Sequence, residues 1–459
     1  MVDVLFVSTP VTFTDIAPAA PAILIAMLEK AGYSAKFYDF NLVVKDDSDF
    51  SQLAINGYVP ENKQRFNNKL LNHVNNIKKY NPRFVGISLL TYQCQNVARL
   101  LCVYLRIYAP DIKIILGGQG LTQGGIQGKH IGEHWKKLNL CDYWVISEGE
   151  WPIVDILSGK YKNTINWSQI KNLDEFPTPD YSSYNFSNYK KTIPITGSRG
   201  CVRRCTFCDI HVHWKKFVFR SGLSIAKEMI EQSSKHGIYN FTFTDSLING
   251  SMKAYKEMCE VLAEYNSRAR QPITWQGQFI FRPSNQMPEE VWKLSADAGL
   301  SEAYVGVENL SESVRDHMKK KFSNEDIFFS LDCMKKYNIT TILLMIVGYI
   351  TDDENTLQEN KMMYEKLAKY SPDTITRLAI GTTLAILPGT PLEKIAKDYG
   401  IKLGKYENDW SGPSTLETRL RWRLELIDHC KKLGFVVPEN EEQQALLSQI
   451  KDQEKRVYA

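Results

Sequence analysis

Two consecutive series of short apolar runs, each followed by a stretch of helical periodicity, confine this chain to an α/β architecture. In the first series the runs are VDVLFVS (2–8), SAKFYDF (34–40), FVGISLL (84–90), KIILGG (113–118) and YWVISEG (143–149), separated by helix-like segments near 19–31, 63–80, 94–108 and 150–158. Strands that recur only after a helix must lie parallel, and a parallel sheet needs helices on both faces. Residues 1–160 therefore predict a doubly wound, Rossmann-like parallel sheet.

Residues 161–190 are rich in Asn, Ser, Tyr and Pro around Phe176-Pro177-Thr178-Pro179 and read as a linker. A second series follows over 191–395: TIPITGS from 192, FTFTDS (241–246), ITWQGQF (273–279), SEAYVGVEN (301–309), ITTILLMIVG (339–348) and a run near 374–386. Six such units predict a (β/α)6 partial TIM barrel, complete or open on one side, with its functional residues at the strand ends. Pro388-Gly389-Thr390-Pro391 closes the barrel, and residues 396–459 read as a helical tail that includes an amphipathic stretch over 418–427 capping the barrel.

A length of 459 residues suits such a division into two or three domains. The 56 basic and 52 acidic residues leave a net charge of +4 with no long basic run, so nucleic acid and membrane surfaces are not expected partners. No apolar run reaches the roughly 18–20 residues that span a bilayer, and Met1 to Val7 lack a basic flank and a cleavage site. The expected location is the cytoplasm.

Three of the nine cysteines, Cys201, Cys205 and Cys208, fall within Gly197-Ser198-Arg199-Gly200-Cys201-Val202-Arg203-Arg204-Cys205-Thr206-Phe207-Cys208, directly after a predicted strand. Soft thiolates at C-x3-C-x2-C spacing select an iron–sulfur cluster or zinc. Three local thiolates leave one iron of a 4Fe-4S cluster open to an exogenous ligand. A zinc site completed by His211 or His213 is the alternative, and three merely packed thiols fit an arginine-bearing loop poorly.

On these residues the chain resembles the radical S-adenosylmethionine (SAM) enzymes, specifically the subgroup with an N-terminal cobalamin-binding domain, over residues 1 to about 400. The resemblance implies that Cys201, Cys205 and Cys208 bind three irons, that Phe207 packs near adenine, and that SAM chelates the open iron. It further implies SAM contacts for Asp245 and Ser246 after the second barrel strand, Arg282 after the third, Glu308 in Gly306-Val307-Glu308-Asn309, and Val347 and Gly348 after the fifth. Asp353-Glu354 falls near the family's acidic position.

The same resemblance implies a cobalamin site at the strand ends of the first domain: Thr9, Pro10, Ser88, Leu89, Thr91, Gly117, Gly118, Glu148, Gly149 and Glu150. Ser147-Glu148-Gly149-Glu150 and the segment from Leu173 to Pro179 are similar to the subgroup's. No D-x-H-x-x-G, which would set a histidine below cobalt, occurs in that domain; Asp209-Ile210-His211 lies beside the cysteines instead. No G-x-G-x-x-G follows the first strand, so a dinucleotide is not indicated.

The implied activity is reductive cleavage of SAM to a deoxyadenosyl radical with methyl transfer to an unactivated carbon. The alternatives are rearrangement, cyclisation or oxidation without methyl transfer, and a non-catalytic metal-binding protein. The implied partners are a small-molecule or peptide substrate and an electron donor such as flavodoxin or ferredoxin.

Overall fold

The computed structural model describes residues 2–10, 14–57, 62–122, 131–146, 148–161, 170–404 and 407–438. Ser147 and the last part of the tail, 439–459, lie outside the described residues. The chain divides into two compact units, Met1–Pro194 and Ile195–Ala459.

The first unit runs β1 (Val2–Ser8), α1 (Ala19–Lys30), β2 (Ala35–Tyr38), α2 (Phe40–Val43), α3 (Ser48–Asn56), α4 (Lys63–Lys79), β3 (Pro82–Ser88), α5 (Cys94–Tyr108), β4 (Lys113–Gly117), α6 (Ile131–Lys137), β5 (Tyr143–Trp144) and α7 (Glu150–Leu157). The sheet is parallel with strand order β2-β1-β3-β4-β5, a doubly wound arrangement. The two-residue strand period explains why the middle of β1, Val4 to Val7, is apolar throughout. Leu5 and Val7 join one core with Phe50, Leu70, Val97 and Leu101, whereas Val4 and Phe6 join the opposite core with Ile25, Leu28, Ile153 and Ile156.

The segment read as a linker stays with this unit as far as Pro194. Its aromatic residues decide against a free tether: Tyr184 stacks on Phe37 at 4.7 Å between ring centroids, and Tyr189 donates its hydroxyl to Asp39 Oδ2 at 2.5 Å. Polar composition suggested a spacer, but buried rings outweigh the entropy of ordering the Asn- and Ser-rich turns around them.

The second barrel-like series begins with β6 (Ile193–Ile195), at the boundary between the units. A short antiparallel hairpin of β7 (Ser198–Arg199) and β8 (Val218–Phe219) encloses α8 (Ile210–His213). Then come α9 (Gly222–His236), β9 (Asn240–Phe243), α10 (Met252–Arg268), β10 (Thr274–Phe279), α11 (Glu289–Asp297), β11 (Leu300–Glu308), α12 (Glu312–His317), α13 (Asn324–Lys336), β12 (Thr340–Val347), α14 (Glu354–Leu367) and β13 (Ile375–Thr383). After them lie α15 (Pro391–Ile395), the ribbon β14 (Lys402–Leu403) and β15 (Trp410–Ser411), and α16 (Leu416–Lys432).

The six long strands pair in the order β6-β9-β10-β11-β12-β13, and with β6 and β13 at the edges the barrel is open on one side. Alternation sorts the two faces. Trp275 and Phe279 of β10 pack edge-on against Tyr255 of α10, while the intervening Gln276 and Gln278 stay half-buried on the concave face.

Helix α16 packs on α14 and β13. Arg419 is its fully buried anchor: the guanidinium donates to the carbonyls of Asn408, Trp410 and Ser414 and lies 3.5 Å from the Trp410 ring. A charged residue inside an apolar contact is tolerated here because protein acceptors replace its water.

Candidate functional site

The cysteine loop is closed at its base by the β7–β8 hairpin, where Ser198 pairs with Phe219 and Arg199 with Val218. Gly200 has φ +83, and a Cβ there would sit 2.6 Å from the Lys216 carbonyl oxygen, so the turn into Cys201 requires glycine. Cys205 is buried, and Cys201 and Cys208 are half-buried. The Arg203 backbone N–H donates to Cys201 Sγ at 3.4 Å.

Thr206 stitches the loop to three other segments. Its N–H donates to the Met318 carbonyl at 3.2 Å, its carbonyl accepts from Leu392 N–H at 2.8 Å, and its Oγ1 lies 2.6 Å from the Tyr349 hydroxyl. Tyr349 in turn meets His317 Nδ1 at 2.9 Å, and His317 Nε2 meets the Tyr399 hydroxyl at 2.6 Å. Phe207 packs against the apolar cluster that contains Tyr349, Ile350 and Leu392.

Beside the loop lies a buried ion pair. Lys320 Nζ sits 3.1 Å from Glu308 Oε1, with side-chain exposures of 6% and 14%, and 5.9 Å from the centre of the Phe207 ring. Burial pushes the Cys205 thiol up, with the Lys320 charge opposing, and burial pushes Cys208 up to about 12. Burial therefore keeps Cys205 and Cys208 protonated before a metal arrives, and loading them releases protons.

The local donor set comprises the three thiols and two histidines. His211 Nε2 is engaged with the Arg203 carbonyl while its buried Nδ1 has no hydrogen-bond partner, and His213 Nε2 faces the Asp209 carboxylate at 3.6 Å. Among the described residues no three His, Cys, Asp or Glu side chains are gathered around a single ion position. The other cysteines of this unit, Cys259, Cys333 and Cys430, are buried on α10, α13 and α16.

The residues expected to contact SAM divide into two groups. Ser246 is exposed at the end of β9, and Glu308 ends β11 at a bulge with φ +68, its carboxylate on Lys320. Phe207, as described, borders the same cation.

Asp245, Arg282, Val347 and Gly348 act from behind. Both carboxylate oxygens of Asp245 are taken, Oδ1 by Gly197 N–H at 2.8 Å and Oδ2 by Ser198 Oγ at 2.6 Å, and burial raises its pKa to about 7. The guanidinium of Arg282 donates to the Asn249 carbonyl from Nε and Nη2, to the Gly250 carbonyl from Nη2 and to Gln286 from Nη1. Three of its five N–H donors are thereby spent on the Asn249–Gly250 turn and a fourth on Gln286, rather than held for a carboxylate.

Val347 is buried, and Gly348 has φ +75 with Arg419 Cγ and Cδ 2.4 Å from where a Cβ would stand. The close approach that requires glycine at this position is to α16. Asp352, rather than Asp353, is the buried acid of this turn. It accepts from Gly348 N–H and Tyr349 N–H at 2.9 and 2.8 Å and from Asn309 Nδ2 at 3.0 Å, and burial raises its pKa to about 6. Asp353 caps α14.

In the first unit, most of the expected ligand-site residues meet at one edge of the sheet. Thr9 Oγ1 donates to the Ser88 carbonyl at 2.8 Å, Leu89 N–H to Gly117 at 2.8 Å and Gly120 N–H to Leu89 at 2.8 Å. A Cβ on Gly118 would strike the Leu89 carbonyl at 2.3 Å, so this glycine serves loop packing, whereas a Cβ on Gly117 would meet nothing within 4 Å. Leu90 and Tyr92 are 50% and 57% exposed on the same loop. An open glycine beside exposed apolar side chains fits a flat macrocycle laid on the strand ends. Thr91 lies on this loop and Pro10 follows Thr9. Glu148 is buried and accepts from Ile170 N–H, while Gly149 and Glu150 start α7.

Residues 195–360 match the family model described as the Radical SAM superfamily. The match places a radical SAM domain in the second unit. It is 21% identical over 304 residues to the anaerobic magnesium-protoporphyrin IX monomethyl ester cyclase of Synechocystis sp., covering 61% of this chain and 58% of that protein. It is 26% identical over 255 residues to the bacteriochlorophyllide d C-12(1)-methyltransferase of Chlorobaculum tepidum, covering 53% and 52%. The chain thus spans a little over half the length of these curated relatives.

Among solved structures, the radical SAM methyltransferase TsrM from Kitasatospora setae superposes with a TM-score of 0.67 at 16% identity over 88% of this chain and 78% of that one. The cobalamin-dependent radical SAM enzyme OxsB gives 0.65 at 17% over 86% and 61%. At these identities the likenesses show a shared fold over most of the chain. No helix among the described residues is long and apolar enough to cross a membrane.

Lys320, Thr206, Tyr349 and Asp352 were not expected from the sequence. Only Lys320 carried a signal, standing in Met318-Lys319-Lys320-Lys321 shortly after Glu308, but nothing in a basic run says which lysine turns inward.

Proposed function

We propose that this chain is a cobalamin-dependent radical SAM enzyme that transfers a methyl group to an unactivated carbon of a small-molecule or peptide substrate. The observation that carries the reading is the three-cysteine loop at the strand ends of an open six-stranded barrel, in a chain whose first unit is a β2-β1-β3-β4-β5 parallel sheet. The methyltransferases among its relatives support it.

When bound, the cluster and SAM supply one-electron cleavage of the sulfonium to methionine and a deoxyadenosyl radical, and cobalamin supplies a transferable methyl group. The chain's own residues hold and orient these groups. Cys201, Cys205 and Cys208 ligate three irons. Ser246, Phe207, Glu308 and Lys320 border the cosubstrate, with Glu308 free to accept from sugar hydroxyls through the oxygen that Lys320 leaves open. Asp245, Arg282, Asp352 and Gly348, with Val347 beside it, fix the strand-end turns that carry those contacts. In the first unit the edge formed by Thr9, Ser88, Leu89, Thr91 and Gly117 receives the corrin, with Pro10, Gly118, Glu148, Gly149 and Glu150 shaping its loops. An electron donor such as flavodoxin or ferredoxin completes the system, and a reducing cytoplasm suits the thiols.

The cyclase relative supports a second reading, radical chemistry without methyl transfer. Anaerobic reconstitution with iron, sulfide and hydroxocobalamin, followed by nucleoside analysis, separates the two. Methyl transfer gives cobalt in the protein and both deoxyadenosine and S-adenosylhomocysteine; iron without cobalt, and deoxyadenosine alone, favour the second.

A further inference from the structure

The concave face of the open barrel carries more polar groups than its own packing uses. Gln276 Nε2 of β10 donates to Thr242 Oγ1 of β9 at 3.1 Å, and Thr376 Oγ1 of β13 donates to Glu302 Oε1 of β11 at 3.0 Å. Two longer side chains on this face stay open. Gln278 of β10 is half-buried and Arg377 of β13 is exposed, and neither has a hydrogen-bond or ion-pair partner among the described residues.

Strand register sets both in one row across the sheet. Gln278 pairs with Tyr304 of β11, Tyr304 with Ile342 of β12, and Ile342 with Arg377. Thr341 pairs with Ile375, so Thr376 is the extra residue of a bulge, and the bulge brings Arg377 to the face of Ile342 instead of the face of the fully buried Thr341. Burial pushes the Tyr304 phenol up to about 12, with the Glu302 charge adding to the rise and the Arg377 charge opposing it, so both charges act on that ring. Arg377 and Glu302 form no ion pair, and Glu302 is engaged by Thr376. One row nearer the strand ends, the same face carries Gly306, Leu344 and Ala379, which bear no charge, and beyond them stands Glu308. Glu308 pairs with Met345, three residues of β12 past Ile342, which is about 10 Å of strand. A lone surface arginine is ordinarily only solvated. This one stands on the inner face of the sheet, its planar fork unspent, at one end of an apolar strip that leads to the cysteine loop's end of the barrel.

We propose that Arg377 is the substrate's anchor in the barrel, binding an anionic group, carboxylate or phosphate, at the far end of the concave face. The substrate class is then a small organic acid whose reacting carbon lies about 10 Å from its charged group, with Leu344 and Ala379 against its apolar middle. The inference rests on the proposed radical chemistry at the strand ends. Arg377 is a specificity-determining residue in this account, fixing which carbon of the substrate reaches those ends, and takes no part in the chemistry itself.

The test is calorimetric binding of hexanoate, hexyl phosphate and the neutral hexanamide to the anaerobically reconstituted full chain. The anions bind about tenfold or more tightly than hexanamide; a preference for hexanoate marks a carboxylate substrate, and a preference for hexyl phosphate marks a phosphate. Arg377→Gln lowers the anion affinity about tenfold or more, Arg377→Lys keeps part of it, and Arg99→Gln, an exposed control on α5, leaves it near wild type. Glu302→Gln raises the anion affinity several-fold by removing a like charge beside the site. The urea midpoint of Arg377→Gln stays near that of the wild type, because the side chain has no protein partner to lose. Equal affinity for all three ligands overturns the proposal, as does anion binding that Arg377→Gln leaves intact. Failure of the radical reading shows separately, as a reconstituted protein that forms no deoxyadenosine from SAM and dithionite while its Arg377-dependent anion binding persists.

Discussion

The hydroxyl of Tyr349, at the end of β12, lies 2.6 Å from Thr206 Oγ1, between the second and third cysteines. The contact ties the cysteine loop to the strand that also carries Gly348, so the positions of the two are set together. Tyr349→Phe removes one buried hydrogen bond, worth about 1 kcal/mol, and leaves the ring packing intact. Iron is expected to pass to a chelator several-fold faster from this variant than from the wild type. Unchanged iron release would make the contact incidental.

The Glu308–Lys320 pair yields a prediction about partners. Lys320→Met leaves Glu308 largely buried without its cation, which costs about 3 kcal/mol, and adding Glu308→Gln restores part of that loss. Urea unfolding of the single and double variants measures the coupling. Loss of affinity for SAM should accompany the lysine change in both backgrounds, since the double variant repairs stability without replacing the cation.

Gly348→Ala is expected to destabilise the barrel by roughly 1–3 kcal/mol, because the new methyl meets Arg419 and the left-handed backbone disfavours it. Arg419 cannot move aside, being held by three backbone carbonyls and the Trp410 ring. The shift appears in the urea midpoint; an unaltered midpoint would mean that α16 is loosely docked.

Asp245 sets a pH dependence. Burial raises its pKa from 3.8 to about 7 in the folded protein, so between those values the folded state holds a proton that the unfolded chain releases. Stability from this site is full below pH about 4 and declines as pH rises toward 7. Asp245→Asn keeps an acceptor for Gly197 N–H and removes the titration, so the melting temperature of the variant falls less between pH 4 and 7 than that of the wild type. Equal slopes would contradict the assignment.

Much of this organisation was legible in the sequence because it rests on periodicity and spacing. Apolar runs such as VDVLFVS fill both faces of a parallel sheet, and Cys201, Cys205 and Cys208 are local in the chain. What escaped depends on contacts between distant segments. Arg282 is spent on Asn249 and Gly250, and Asp245 on Gly197 and Ser198, pairings between segments that strand-end position alone does not reveal. Thr206 and Tyr349 stand 143 positions apart, and neither residue type announces the pairing. The tyrosines of 181–189 were masked by the Asn- and Ser-rich turns around them, which mimic a linker's composition.

The central claim is that three cysteines hold a 4Fe-4S cluster with one iron left open for SAM. It is tested most directly by electron paramagnetic resonance of the reconstituted, dithionite-reduced protein with and without SAM. The account predicts a one-electron-reduced cluster signal, from about four irons per chain, whose shape changes when SAM is added and which Cys205→Ala abolishes. A signal identical with and without SAM would contradict the open iron, and a protein that binds zinc but no iron would contradict the cluster.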